Sequence, residues 1–345
     1  MKKTVLLLAI FIFLMNVVNS QTFVDEDFDQ SRKAIFKVFT NFHADLAGGE
    51  VNKTAFEVNR AYFGYTYNYS KKLTGQIIFD AGLDKISNRY EVFLKIAGLT
   101  WRATEKLTIN GGMISPKQFK TQERFWGYRY LYKSFQDEYK FGYSADLGMT
   151  VEYKFNEYIW ADIGFFNGEG YKNINLKYGD FKGSAGLTFH LAERIQLRLY
   201  YDIMNNNDTS LNPGSRQNQS TLAGFLGIKI TDKFRVAGEY NYQKQHQNIK
   251  NQDLFGYSFY STYVFNKKFE IYARADILLS NKLDGETEDW NYKDDGLGLL
   301  GGFQYVPLKG LKLSLNYRHV LPKKPNEELR RPSGSWIYFN VEFKI

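Results

Sequence analysis

A two-residue period in hydrophobicity, running from about Arg32 to Ile345, constrains this chain more than any other feature. Helices repeat every 3.6 residues, so a period of two implies strands whose faces meet different surroundings. Ala145, Leu147, Met149, Val151, Tyr153 and Phe155 share one phase, against Ser144, Asp146, Gly148, Thr150, Glu152 and Lys154. Phe269, Ile271, Ala273, Ala275, Ile277 and Leu279 alternate with Glu270, Tyr272, Arg274, Asp276 and Leu278. Ile337, Phe339, Val341, Phe343 and Ile345 close the chain in the same way.

Soluble sandwiches alternate too, and the connections separate the cases. Short polar links recur at 68–72, 102–106, 156–157, 192–194, 231–233, 266–268 and 308–310. Between them the chain runs out, makes a longer polar loop and returns. Such sorting is expected of a transmembrane antiparallel up-and-down β-barrel with short periplasmic turns and long extracellular loops. Strands are expected at about 33–45, 55–68, 73–84, 89–101, 106–114, 143–155, 158–167 and 180–190. The second half continues at about 194–204, 220–231, 233–244, 254–265, 268–280, 296–306, 310–319 and 335–345, giving about sixteen. Both termini then fall on the short-turn side. In lipid every backbone N–H and C=O needs a partner, and a closed sheet supplies one without edges.

Composition supports this reading once the period is known. A mean hydropathy of −0.44 suggests a soluble protein, but alternation averages the lipid-facing and water-facing phases together. Aromatics make up 17% of the chain, and Tyr153, Phe155, Phe189, Tyr263, Phe265 and Tyr305 fall where a periplasmic girdle would lie. The absence of Cys excludes a disulfide scaffold, a thiolate metal site and a cysteine nucleophile. Met1-Lys2-Lys3 followed by the apolar run Thr4–Val17 predicts a cleaved signal peptide over 1–20. A single barrel domain then spans 21–345. Losing Lys2 and Lys3 takes the formal charge from +8 to +6.

The polar phase projects inward. It carries Lys37, Arg60, Lys95, Lys154, Arg198, Lys229, Arg235, Arg274 and Arg318, with Asp80, Glu91, Glu152, Asp202, Glu239, Asp276 and Glu342. Some of these charges are expected to brace neighbouring strands, and the ensemble to favour anions mildly. The longest loop, Ser115–Phe141, holds Lys117, Lys120, Arg124, Arg129, Lys133 and Lys140 against Glu123, Asp137 and Glu138. Its length and aromatics predict a functional segment folded inward as a constriction with a positive face. An acidic loop (Asp284, Glu286, Glu288, Asp289, Asp294, Asp295) and a basic one (Lys323, Lys324, Arg330, Arg331, with Glu327 and Glu328) are expected to be solvated surface. No cofactor or metal motif is present.

Asn59-Arg60-Ala61-Tyr62-Phe63-Gly64-Tyr65, Gly164-Phe165-Phe166-Asn167-Gly168-Glu169-Gly170 and Tyr272-Ala273-Arg274-Ala275-Asp276 resemble segments of Gram-negative porins. The likeness is strongest to the phosphate-selective porin O and P family of Bacteroidetes-type genomes. Tyr338–Phe343 is similar to the porin C-terminal signal read by the barrel assembly machinery, although the chain ends in Lys344-Ile345 instead of an aromatic. The resemblance implies a homotrimeric outer-membrane porin, in contact with lipid and lipopolysaccharide, passing small hydrophilic or anionic solutes. The family's arginine ladder is matched only by Arg60, Arg198, Arg235, Arg274 and Arg318. The alternative is a non-channel barrel acting as a surface adhesion or binding protein. A barrel enzyme is disfavoured because His43, His190, His246 and His319 are scattered with no Ser-centred signature. A plugged transporter is disfavoured because the segment after the signal is acidic (Asp25, Glu26, Asp27, Asp29). Nucleic-acid binding is disfavoured because the basic residues are spread over strand faces.

Overall fold

The computed structural model describes residues 31–47, 49–84, 89–172, 179–207, 217–324 and 333–345. The expected signal peptide, the acidic segment after it, Glu327, Glu328, Arg330 and Arg331 lie outside the described residues.

Sixteen antiparallel strands form one closed barrel. They are β1 Ser31–Ala47, β2 Glu50–Asn68, β3 Leu73–Asp84, β4 Arg89–Arg102, β5 Leu107–Ile114, β6 Asp146–Lys154, β7 Ile159–Phe166 and β8 Lys182–Leu191. The circuit continues with β9 Ile195–Met204, β10 Gln219–Lys229, β11 Phe234–Lys244, β12 Leu254–Val264, β13 Phe269–Ser280, β14 Gly296–Leu308, β15 Leu311–Pro322 and β16 Gly334–Lys344. Each strand pairs with its sequence neighbours, and β1 closes the ring against β16 from Lys37↔Lys344 to Leu46↔Ser335. Closure removes the sheet edges. The Ile345 N–H donates to the Phe36 carbonyl (3.0 Å), so the end of β16 and the early part of β1 lie together on the short-turn side.

The turns on that side are locally encoded. Ser70, Thr104, Asn156, Thr231 and Asn266 each accept hydrogen bonds from backbone N–H groups two and three residues on. These side chains mimic a backbone turn and hold the hairpin closed. The expected periplasmic aromatics lie next to them, with Tyr153 against Phe155, Tyr263 against Phe265 and Phe269 stacked on Tyr305. The outer phase is apolar and exposed, for example Phe259, Leu299, Phe303 and Phe339.

Three expectations need correction. The outer connections are not uniformly long: β1 runs to Ala47 and β2 starts at Glu50, so residues expected to be loop extend this hairpin. Bulges at Phe39/Thr40 and Asp45/Leu46 let the hairpin lengthen without losing its phase. Second, β6 begins at Asp146, and Ala145 is fully buried at the base of the preceding loop instead of continuing the lipid-facing phase. Third, the aromatics are not confined to lipid and interfaces. Phe39, Tyr200, Phe225, Tyr260, Tyr272, Leu278 and Leu300 sit on the inward phase and are buried.

Candidate functional site

Those inward apolar residues receive the loop between β5 and β6. It contains two short helices, α1 Lys120–Trp126 and α2 Phe135–Glu138. Gly127, at φ +78°, ends α1 by returning its N–H to the Glu123 carbonyl (3.1 Å). The aromatics that follow are thereby turned onto the wall. Phe125 packs on Phe225 and Tyr260, and Trp126 on Tyr260 and Tyr272. Tyr128 lies against Tyr272, and its hydroxyl donates to Glu270 (2.5 Å), the second residue after a short turn. The loop therefore descends most of the barrel's height along this side. Tyr130 reaches Phe39 on β1 and donates to Gln304 on β14 (2.9 Å). Each fully buried aromatic contributes about 1.5–3 kcal/mol to docking.

Two wall glycines permit the close fit. A Cβ on Gly256 would collide with the Phe135 ring, and one on Gly227 would meet the Phe125 ring at 2.7 Å.

Charged clamps complete the seam. Arg198 forms a bidentate pair with Asp162 (2.8 and 3.1 Å), donates to Thr188 (2.8 Å) and reaches the Gln118 carbonyl (3.4 Å). Arg274 grips Asp276 through two 2.8 Å bonds, donates to the Lys133 carbonyl (2.7 Å) and faces Trp126 and Tyr132. Arg318 lies over the Tyr338 ring (3.7 Å) and donates to the Leu131 carbonyl (3.0 Å). Lys182 bridges Asp202 (3.5 Å) and the Gln118 side-chain oxygen (3.1 Å). Arg198→Met would leave Asp162 as a buried anion without its partner, which costs about 3–5 kcal/mol. The expected result is a denaturant midpoint well below wild type; an unchanged midpoint would show the pair to be dispensable.

The opposite half of the wall is open. Most inward side chains on β9–β14 are buried, whereas Thr66, Asn68, Thr74, Gln76, Thr100, Thr108 and Asn110 on β2–β5 are half-exposed. At mid-height, between this wall and the loop, lies a charge cluster. Asp80 is wholly buried and accepts from Arg60 (3.0 Å), Lys95 (3.2 Å) and Tyr171 of the β7–β8 loop (2.5 Å). Lys95 lies between the Tyr62 and Tyr171 rings, and Lys37 faces Tyr62 from β1. The Tyr62 hydroxyl is buried without a hydrogen-bond partner among the described residues.

Across from them the loop presents Lys120, Glu123, Arg129 and Asp137. Arg129 bridges Asp137 (2.6 Å) and Glu123 (3.4 Å), and Lys120 pairs with Glu123 (3.0 Å). Burial alone would raise the Asp137 carboxyl, but Arg129 and Lys133 outweigh it and hold it down at about 2. Glu123 is lowered in the same sense, with Arg129 and Lys120 overcoming its desolvation. Lys120 is depressed by burial and by the neighbouring charges of Arg129 and Lys95, against the pull of Glu123.

The expected site residues thus divide. Arg60, Lys95, Lys120 and Arg129 meet at the open passage. Lys117 pairs with Glu152 (2.8 Å) beside it, and Lys133 with Glu138 (3.7 Å). Arg124 is exposed without an ion pair among the described residues. Arg235 is half-buried beside the Tyr128 ring. Arg198 and Arg274 project inward, but at 2% and 4% exposure they fasten the loop and do not line open space; Arg318 likewise holds the loop. The loop's positive face is also largely offset by its own carboxylates. Asp80 was expected only as one inward carboxylate among several; missing from the expected site were Tyr62, Tyr171 and the inward aromatics that seat the loop. The signal for the latter was visible as Tyr200, Tyr272 and Leu278 interrupting an otherwise polar phase. At the outer rim, the expected solvated charge is corrected in part: Lys323 pairs with Asp289 and Lys324 with Glu288, joining the acidic and basic loops.

The profile of the outer membrane protein beta-barrel domain family matches residues 201–343. No curated protein sequence matches the chain. Among solved structures it resembles Salmonella typhi OmpF in complex with daunomycin, with TM-score 0.70 and 12% identity over 91% of this chain and 97% of that one. It also resembles the outer membrane channel DcaP of Acinetobacter baumannii, with TM-score 0.61 and 11% identity over 92% and 97%. An anion-selective porin from Comamonas acidovorans gives TM-score 0.61 and 9% identity over 92% and 100%. At these identities the likeness is one of fold.

Proposed function

We propose that this chain is an outer-membrane porin, a water-filled channel for passive diffusion of small hydrophilic solutes with a mild preference for anions. The observation that carries this reading is the divided lumen. One half is sealed by an anchored loop, and the other is a half-exposed polar wall, with Lys37, Arg60 and Lys95 of the wall gathered opposite Lys120 and Arg129 of the loop. These five cations face Asp80, Glu123 and Asp137, leaving a local positive excess that lowers the cost of bringing an anion through. The fold shared with channel proteins, one of them titled an anion-selective porin, supports the reading. Cleavage after Ser20, assembly as a homotrimer and contact with lipopolysaccharide and the barrel assembly machinery belong to the same proposal. The histidines favour a channel over an enzyme: His319 meets Ser335 (2.8 Å), but no carboxylate orients the pair among the described residues.

Reconstitution of the refolded chain into a planar bilayer tests the proposal. The expected result is stepwise conductance with a reversal potential on the anion side. Absence of steps would favour the adhesion reading, and a cation-side potential would end the anion preference. The selectivity is also expected to hold from pH 7 to about pH 4. Asp137 is held at about 2, below the ordinary 3.8. Its stabilising pair with Arg129 is complete above 3.8 and is lost only as pH falls through about 2. A rise in anion selectivity near pH 5, as the carboxylate is neutralised, would show that Asp137 is not so held.

A further inference from the structure

Below the cation cluster the open wall turns to neutral polar side chains, bordered by Arg102, which donates to Thr74 (3.1 Å), and Glu152, which accepts from Asn110 (2.9 Å). Asn68, Thr74, Thr100, Asn110 and Thr150 occupy matched positions on five consecutive strands, β2 to β6. At the ordinary strand spacing this belt runs roughly 19 Å around the barrel, oblique to its axis because the strands tilt. Its members bond sideways: Thr74 donates to Asn68 (2.8 Å), Thr100 to Asn110 (2.7 Å) and Asn110 to Thr150 (2.9 Å). Directly above lies a second pair, in which the Gln76 amide donates to Thr66 (2.8 Å). Those bonds orient the groups and leave the Gln76 carbonyl and the Thr66 hydroxyl proton without partners among the described residues.

A bare inorganic anion is steered by charge and gains little from such a wall. A solute bearing several hydroxyls can exchange its water for these fixed donors and acceptors, one group at a time. We infer that the preferred solute class is an acidic sugar, a carboxylate carried on a polyhydroxylated body. The inference rests on the anion-channel reading and deepens it. The carboxylate is held at the Lys95–Arg129 level while the hydroxyls track along Thr66, Gln76 and the belt.

Bilayer measurements with sodium D-glucuronate and sodium chloride on opposite sides test this. Wild type is expected to pass glucuronate, relative to chloride, better than the ratio of their free-solution mobilities. Thr66→Val with Gln76→Leu is expected to lower that ratio about fivefold, the equivalent of one neutral hydrogen bond, while chloride conductance stays within about twofold. Thr66→Ser with Gln76→Asn, which keeps the polar groups, is expected to retain most of the preference. Heat-modifiable migration on a gel confirms that each variant is a folded barrel. A wild-type ratio equal to the mobility ratio, or one indifferent to Thr66→Val/Gln76→Leu, overturns the acidic-sugar inference while leaving anion selectivity standing. A cation-selective wild type overturns the underlying reading instead.

Discussion

Replacing residues 117–142 by a tight turn is expected to raise single-channel conductance at least about twofold, because a sixteen-stranded barrel is wide enough to conduct unless something fills it. The loop covers the wall along β9–β14 with Phe125, Trp126, Tyr128, Tyr130 and Leu131 against Phe225, Tyr260, Tyr272 and Leu300. The backbone pairing of the sheet does not depend on it, since every strand remains paired on both sides. A milder version uses the wall glycines. Gly256→Val would push against Phe135, and Gly227→Leu against Phe125, so each is expected to give a conductance between wild type and the deletion. An unchanged conductance in the deletion would mean that the loop does not limit the current.

The second large effect concerns charge. Lys95→Met with Arg129→Met is expected to cut the anion-to-cation permeability ratio roughly thirtyfold and bring the channel to or past neutrality. Two charges a few ångströms from the ion path are each worth about 1 kcal/mol even in water-like surroundings. Adding Asp80→Asn and Asp137→Asn should restore much of the ratio, because each carboxylate loses one cationic partner in the double variant. Arg198→Met is the contrasting case: its charge is sealed behind the loop and already paired with Asp162, so selectivity should hold even where stability falls. Equal shifts from Arg198→Met and from the double variant would contradict the assignment of the passage to the β2–β5 side.

Period and turn chemistry carried most of the fold. Strands such as β9 and β13 follow short turns and keep a two-residue period, and each lies within a residue of its expected position. Where the pattern misled, a competing interaction was present. The β1–β2 hairpin extends because Phe42 and Phe56 pair across it and bulges absorb the slip, and neither shows in a period count. The site was legible only in part. Basic residues were visible in the loop, but sequence spacing does not show that Glu123 and Asp137 fold back to neutralise them. Nor does it show which inward arginines the loop then buries. Asp80 looked like any other inward carboxylate; its role as the hub for Arg60, Lys95 and Tyr171 depends on three distant segments meeting.

The seam between β1 and β16 has a consequence for how the molecule comes to exist. Every other strand pair joins neighbours along the chain, but Lys37↔Lys344 joins segments about three hundred residues apart. That contact carries the largest loop-closure entropy in the protein, so it is expected to form last. Until then the nascent sheet exposes two raw edges, a template for pairing with other chains. The hazardous interval in this protein's life is therefore set by the wait for its final strand, and a chain stopped short of β16 would remain in that interval permanently.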